Sequence, residues 1–167
     1  METFNPDPKL LDEFFSAAEQ EDIAKIKSLL EKGIDPNSQN KFRETVLMTA
    51  SGKGNYELVK FLLENGANPN LQDIDDMTAL TGAASVEGND KVVKLLLEKG
   101  ADPNLQIKDG VTALMNASEL GYFEIVKLLL ENGANPNLQT LDGETALMWA
   151  SDNGYSNIVE ILKSRAK

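Results

Sequence analysis

Three features of this chain hold residue types that could do chemistry. Asp73-Ile74-Asp75-Asp76 concentrates three carboxylates on one short segment. Calcium and magnesium take oxygen ligands of this kind, but the spacing of an EF-hand loop does not follow. Ser51-Gly52-Lys53-Gly54-Asn55 combines glycines with a lysine. Those are the ingredients of a phosphate cradle, without the G-x-x-x-x-G-K-[ST] spacing that aims backbone amides at phosphates. Paired carboxylates are also abundant among the 27 acids, and such pairs can act as general acid and base. For each feature the plainer reading is stronger: a solvated loop, a turn, a solvated face.

What the chain lacks narrows the field further. It has no histidine and no cysteine. A Ser-His-Asp triad, a thiol nucleophile, an imidazole or thiolate metal centre and a disulfide framework are all excluded. An enzyme would have to work with carboxylates, lysines, tyrosines or serines alone. No catalytic residue, cofactor or metal is therefore assigned. The net charge of −11 repels phosphate backbones, so nucleic acid is not expected as a partner. It suits solubility, or a protein partner with a basic surface.

The composition is that of a globular chain, 41% hydrophobic and 26% charged over 167 residues. No stretch approaches the roughly 18–20 consecutive apolar residues of a membrane helix, so no membrane partner is expected. The opening METFNPDPKLLDEFF has no basic segment followed by an apolar core. A cytoplasmic monomer is the expectation, unless a signal peptide has been removed or the protein is exported as an effector.

The elements that must carry these residues are repetitive. Gly33, Gly66, Gly100 and Gly133 each close an apolar run, at spacings of 33, 34 and 33. Thr45, Thr78, Thr112 and Thr145 recur at the same three intervals. ELVKFLLENGANPNLQ (57–72), KVVKLLLEKGADPNLQ (91–106) and EIVKLLLENGANPNLQ (124–139) are versions of one phrase. TVLMTAS, TALTGAA, TALMNAS and TALMWAS form a second. In the first phrase Leu58, Val59, Leu62 and Leu63 share one side of a helix, and Glu57, Lys60 and Glu64 the other. Lys60–Glu64, Lys94–Glu98 and Lys127–Glu131 are i,i+4 neighbours on the exposed side. The terminal glycines suit the left-handed C′ position, and Pro36, Pro69, Pro103 and Pro136 forbid helix continuation. The second phrase predicts a shorter helix with its threonine near the N-terminus. Gly54, Gly88, Gly121 and Gly154 separate the two helices. A period near 33 with two helical phrases signifies a stacked array whose core is a stripe.

These phrases resemble the ankyrin repeat, and the resemblance covers residues 9–167. It implies an all-α solenoid of helix-turn-helix repeats with short β-hairpin-like loops. About five repeats are expected: an N-terminal cap (9–40), then 41–73, 74–107, 108–140, and a C-terminal cap (141–167), with 1–8 a flexible tail. In the first unit Asp12 takes the threonine position and Glu21 the inter-helix glycine position. The family's T-P-L-H is here T-A-L-M, with Thr81 in place of Met in the third repeat. Family histidines bridge neighbouring repeats by hydrogen bonds. Met48, Met115 and Met148 are expected only to pack, leaving that polar bridge missing. The third repeat has one extra residue among Ala84–Gly88, predicting a lengthened first helix or a bulged turn. In the family, the asparagine at Asn37, Asn70, Asn104 and Asn137 can be hydroxylated. The stronger reading is an asparagine hydrogen-bonded within its own loop.

The resemblance also implies a function: recognition of a protein partner, without catalysis, through the concave face and hairpin tips. Those are the places where the repeats disagree most. The tips read Lys41-Phe42-Arg43-Glu44, Ile74-Asp75-Asp76-Met77, Lys108-Asp109-Gly110-Val111 and Leu141-Asp142-Gly143-Glu144. The fourth residue after each threonine varies as Thr49, Gly82, Asn116 and Trp149, and Gly52-Lys53 stands where Val86-Glu87, Glu119-Leu120 and Asp152-Asn153 stand elsewhere. The candidate partner-binding residues are Phe42, Ile74, Asp75, Met77, Lys108, Val111, Leu120, Leu141 and Trp149. The competing readings are a designed or stability-selected scaffold with no natural partner, and a carboxylate-based enzyme.

Overall fold

A computed structural model describes residues 7–165. Ten helices follow one another in pairs among these residues: α1 (Pro8–Glu19) with α2 (Ile23–Glu31), α3 (Val46–Gly52) with α4 (Tyr56–Glu64), α5 (Ala79–Ala83) with α6 (Asp90–Glu98), α7 (Ala113–Leu120) with α8 (Phe123–Glu131), and α9 (Ala146–Asp152) with α10 (Ser156–Arg165). First helices pack on first helices (α1, α3, α5, α7, α9 in order). In the second layer α4, α6, α8 and α10 do the same. Helices of five to twelve residues are marginal alone. Here Leu47, Leu80 and Leu114 of the first layer and Leu62, Leu96 and Leu129 of the second are almost wholly buried in one continuous core. Burying each such side chain stabilises by roughly 1.5–3 kcal/mol.

The punctuation falls where the residue types put it. Thr45, Thr78, Thr112 and Thr145 are N-caps, each accepting from the amide three residues on. The helix-separating Gly54, Gly88, Gly121 and Gly154 have φ of 70–79°, and the chain-reversing glycines after the second helices 89–93°. Glu21 holds the corresponding place in the first unit at φ 58° without being glycine. Asp12 does not act as a cap: α1 begins earlier, at Pro8, with Asp7 accepting from the Lys9 amide. Asp7 and Pro8 therefore belong to the helix rather than to the expected tail 1–8, and residues 1–6 of that tail lie outside the described residues.

Among the described residues the loops contain no named strand, only one isolated bridge between Gln39 and Thr45. A hairpin contact nonetheless recurs before every threonine helix. The amides of Asn40, Asp73, Ile107 and Thr140 donate to the carbonyls of Glu44, Met77, Val111 and Glu144 at 2.9–3.0 Å.

Of the two outcomes expected for the extra residue of the third repeat, the bulged turn is the one found, and α5 is not lengthened but the shortest of its layer at five residues. The residue enters a bulged turn over 84–88, and Asn89 after it turns inward. Its side-chain amide donates to Ser51 O at 3.0 Å and Ala83 O at 3.1 Å. The second helix is back in register at Val92, which is buried. The methionines do not all merely pack, which corrects that expectation. Met115 is buried, but Met48 Sδ accepts from the Thr45 amide at 3.3 Å and Met148 is 49% exposed. Thr81, the exception in the pattern, closes the strongest cap: the Thr78 amide donates to its hydroxyl at 2.8 Å.

Candidate functional site

Three rows of hydrogen bonds run along the array from one repeat to the next. The first is the asparagine row. Asn37 Nδ2 donates to Gly66 O and its Oδ1 accepts from the Asn68 amide; Asn70 joins Gly100 O and the Asp102 amide, and Asn104 joins Gly133 O and the Asn135 amide, all at 2.7–3.1 Å. These asparagines therefore bond to the following loop, not within their own. The residue before each proline makes the local turn instead, as when Asp35 accepts from the Asn37 amide. The second row is glutamine. Gln39, Gln72 and Gln106 each donate to a carbonyl of their own hairpin and to the carbonyl of the next glutamine in line, ending on Gln139. At the histidine position the hydrogen bonds of Met48 and Thr81 stay within their own repeats, and polar contacts between repeats come instead from the asparagine and glutamine rows.

The third row is main chain alone and joins the hairpin tips. The amides of Ile74, Lys108 and Leu141 donate to the carbonyls of Phe42, Asp75 and Asp109, respectively, at 3.0–3.3 Å. Gly110 makes room for this contact, since a Cβ there would lie 2.9 Å from Thr140 Cα. The tips thus form a ridge with fixed neighbours. On it Phe42 is 46%, Ile74 42% and Leu141 79% exposed.

The candidate residues divide between the ridge and the first-helix layer. Asp75 and Lys108 are not independent contacts, for they form an ion pair at 3.2 Å. Met77 and Val111 are half-buried at the bases of their hairpins. Leu120, at the end of α7, is exposed. Trp149 is half-buried against the core, and its indole N–H donates to Glu144 Oε2 at 2.9 Å.

Beside the ridge lies an open groove of about 290 Å³ lined by Glu19, Glu44, Met48, Thr49, Gly52, Lys53, Asp73, Met77, Thr78 and Gly82. Apart from Met77, none of these stood among the predicted partner-binding residues. The disagreement between repeats at Thr49, Gly82 and Gly52-Lys53 was the available signal.

The carboxylates have structural occupations. Asp73 Oδ1 accepts from the amides of Asp75 and Met77, and Asn40 Oδ1 does the same for Phe42 and Glu44 in the preceding hairpin. Among the described residues no group of three or more acids is placed to hold a metal. No helix among them is long and apolar enough to cross a membrane. Glu13 is held below its ordinary pKa by a hydrogen bond and the nearby charge of Lys25, at 2.7 Å. Of the three i,i+4 pairs, only Lys94–Glu98 closes to an ion pair, at 3.9 Å.

Comparison with known protein families agrees with this architecture. The family model described as ankyrin repeats (3 copies) matches residues 14–107 and again 83–167. No match to a curated protein was found. Ankyrin repeats mediate protein–protein interactions and are ordinarily non-enzymatic modules. With paired helices, hairpins before each threonine cap and the model match spanning nearly all described residues, the chain belongs to the ankyrin-repeat family.

Proposed function

We propose that this protein is a non-catalytic binding module that holds a partner protein across the hairpin ridge and the exposed side of the first-helix layer. The supporting observation is the ridge itself. Its main-chain bonds hold Phe42, Ile74 and Leu141 at set positions with much of their apolar surface in water. Large apolar side chains kept exposed on ordered backbone are suited to serve as anchors. The charge on this face supports a basic surface on the partner. Glu87, Asp109, Glu119, Asp142 and Asp152 are exposed on repeats three to five, where Lys108 is already paired with Asp75. Such a field speeds encounter with a cationic partner and weakens with salt.

The test is capture of a binder followed by calorimetric titration. Ile74→Ala, Leu141→Ala and Trp149→Ala should each weaken binding, a true anchor by ~2 kcal/mol or about thirtyfold. Lys60→Ala and Lys127→Ala, exposed on the second helices, should leave affinity unchanged. Melting curves control for folding. If the second-helix pair weakens binding and the ridge set does not, the interface is on the wrong side.

A further inference from the structure

The groove between the second and third repeats is shaped by side chains that are missing. Gly52 and Gly82 line it, and a Cβ on either would meet nothing within 4 Å. At the position of Gly82 the other repeats carry Thr49, Asn116 and Trp149, so this opening belongs to one place in the array. Two thioethers, Met48 and Met77, are half-buried in its wall. Three carboxylates face it against one amine. Lys53 is taken by Glu19 at 3.0 Å. Glu44 and Asp73 have no cationic partner among the described residues. Each uses one oxygen on a neutral donor, Glu44 Oε2 on Asn40 Nδ2 at 2.6 Å and Asp73 Oδ1 on two amides. Their other oxygens remain as acceptors.

We infer that this groove receives an arginine side chain from the partner protein, a statement that rests on the binding reading above and names the chemistry of one contact within it. An arginine stem is apolar and lies well along methionine side chains. Its planar guanidinium has donors on two edges, so it can reach two carboxylates at once, which the single point charge of a lysine does less well. The two uncompensated acids give the charge complementarity, and the two glycines give the room.

The test uses the full chain labelled with ¹⁵N and a defined probe, acetyl-Ala-Arg-Ala-amide, with its uncharged citrulline counterpart as control. The arginine peptide should shift the amide signals of Thr49, Gly52 and Gly82, and the citrulline peptide should bind about tenfold or more weakly. Gly82→Leu fills the groove and adds a good helix former to α5, so it should abolish these shifts with the melting temperature kept. Asp73→Asn with Glu44→Gln should do the same by charge alone, and the asparagine retains the turn acceptor that Asn40 already supplies one repeat earlier. Absent shifts, shifts spread over the acidic tips, or shifts indifferent to both variants would overturn the inference. A groove that ignores the peptide while partner binding still depends on Ile74 and Leu141 removes this contact and leaves the wider reading. Partner binding indifferent to the ridge removes the wider reading, whatever the peptide does.

Discussion

The ring of Tyr155 lies against the backbone of Gly121, so that a Cβ on that glycine would sit 2.6 Å from Tyr155 Cε1 and Cζ. The glycine ends α7 and the tyrosine precedes α10, so this contact joins the fourth repeat to the fifth. Gly121 also has φ 79°. Gly121→Ala therefore meets both a conformational penalty and a collision, and should cost about 1–3 kcal/mol. Gly88→Ala shares the backbone conformation but has open space around it, and should cost less. Chemical denaturation of the two variants compares them directly.

The asparagine row predicts a graded series. Asn70→Ala removes two bonds to the next loop and should destabilise by roughly 1–2 kcal/mol. The Asn137 side chain makes no hydrogen bond among the described residues and is exposed, so Asn137→Ala should be near neutral. Equal losses in urea titrations would show that the row does not bind the repeats together.

Two buried hydroxyls point the other way. Ser51 Oγ and Ser118 Oγ are buried with no protein partner. The third repeat carries Ala84 at the same place, fully buried. Ser118→Ala should be neutral or stabilising by up to about 1 kcal/mol, because an unpaired buried hydroxyl carries a desolvation cost. A clear fall in melting temperature would mean that an ordered water satisfies the hydroxyl.

The Glu13–Lys25 pair gives a pH signature. Lys25 lowers the Glu13 pKa below the ordinary 4.5. A depressed carboxylate contributes stability above its unfolded value, and that contribution disappears as pH falls through the lower folded value. Lys25→Ala should return the Glu13 titration, followed by NMR, towards the ordinary value. An unmoved midpoint would discard the pair.

Much of this was legible before any coordinates. Apolar spacing, threonine caps and helix-ending glycines depend on neighbours close in sequence, and they place the helix pairs of the four repeats that carry the threonine, whereas α1, with Asp12 at that position, starts earlier at Pro8. The hairpin tips were found because they vary. Three things were not readable. The groove exists because two glycines distant in sequence open onto one space. The inward turn of Asn89 depends on a carbonyl 38 residues away. The inter-repeat role of Asn37, Asn70 and Asn104 looked local because each loop has a suitable turn residue of its own, and only the stacking shows which acceptor is nearer.

The asparagine and glutamine rows grip main-chain atoms of the neighbour and never its side chains. These two rows are consequently blind to the side chains of the unit joined. A repeat duplicated, deleted or exchanged within the array meets the same carbonyl and amide groups wherever it lands. Phe42, Ile74 and Leu141 on the ridge take no side-chain part in these rows and are then free to drift, unlike Asp75 and Lys108, which pair across two repeats. Such a chain can change its length and its specificity by separate steps, and neither change requires the other to be corrected.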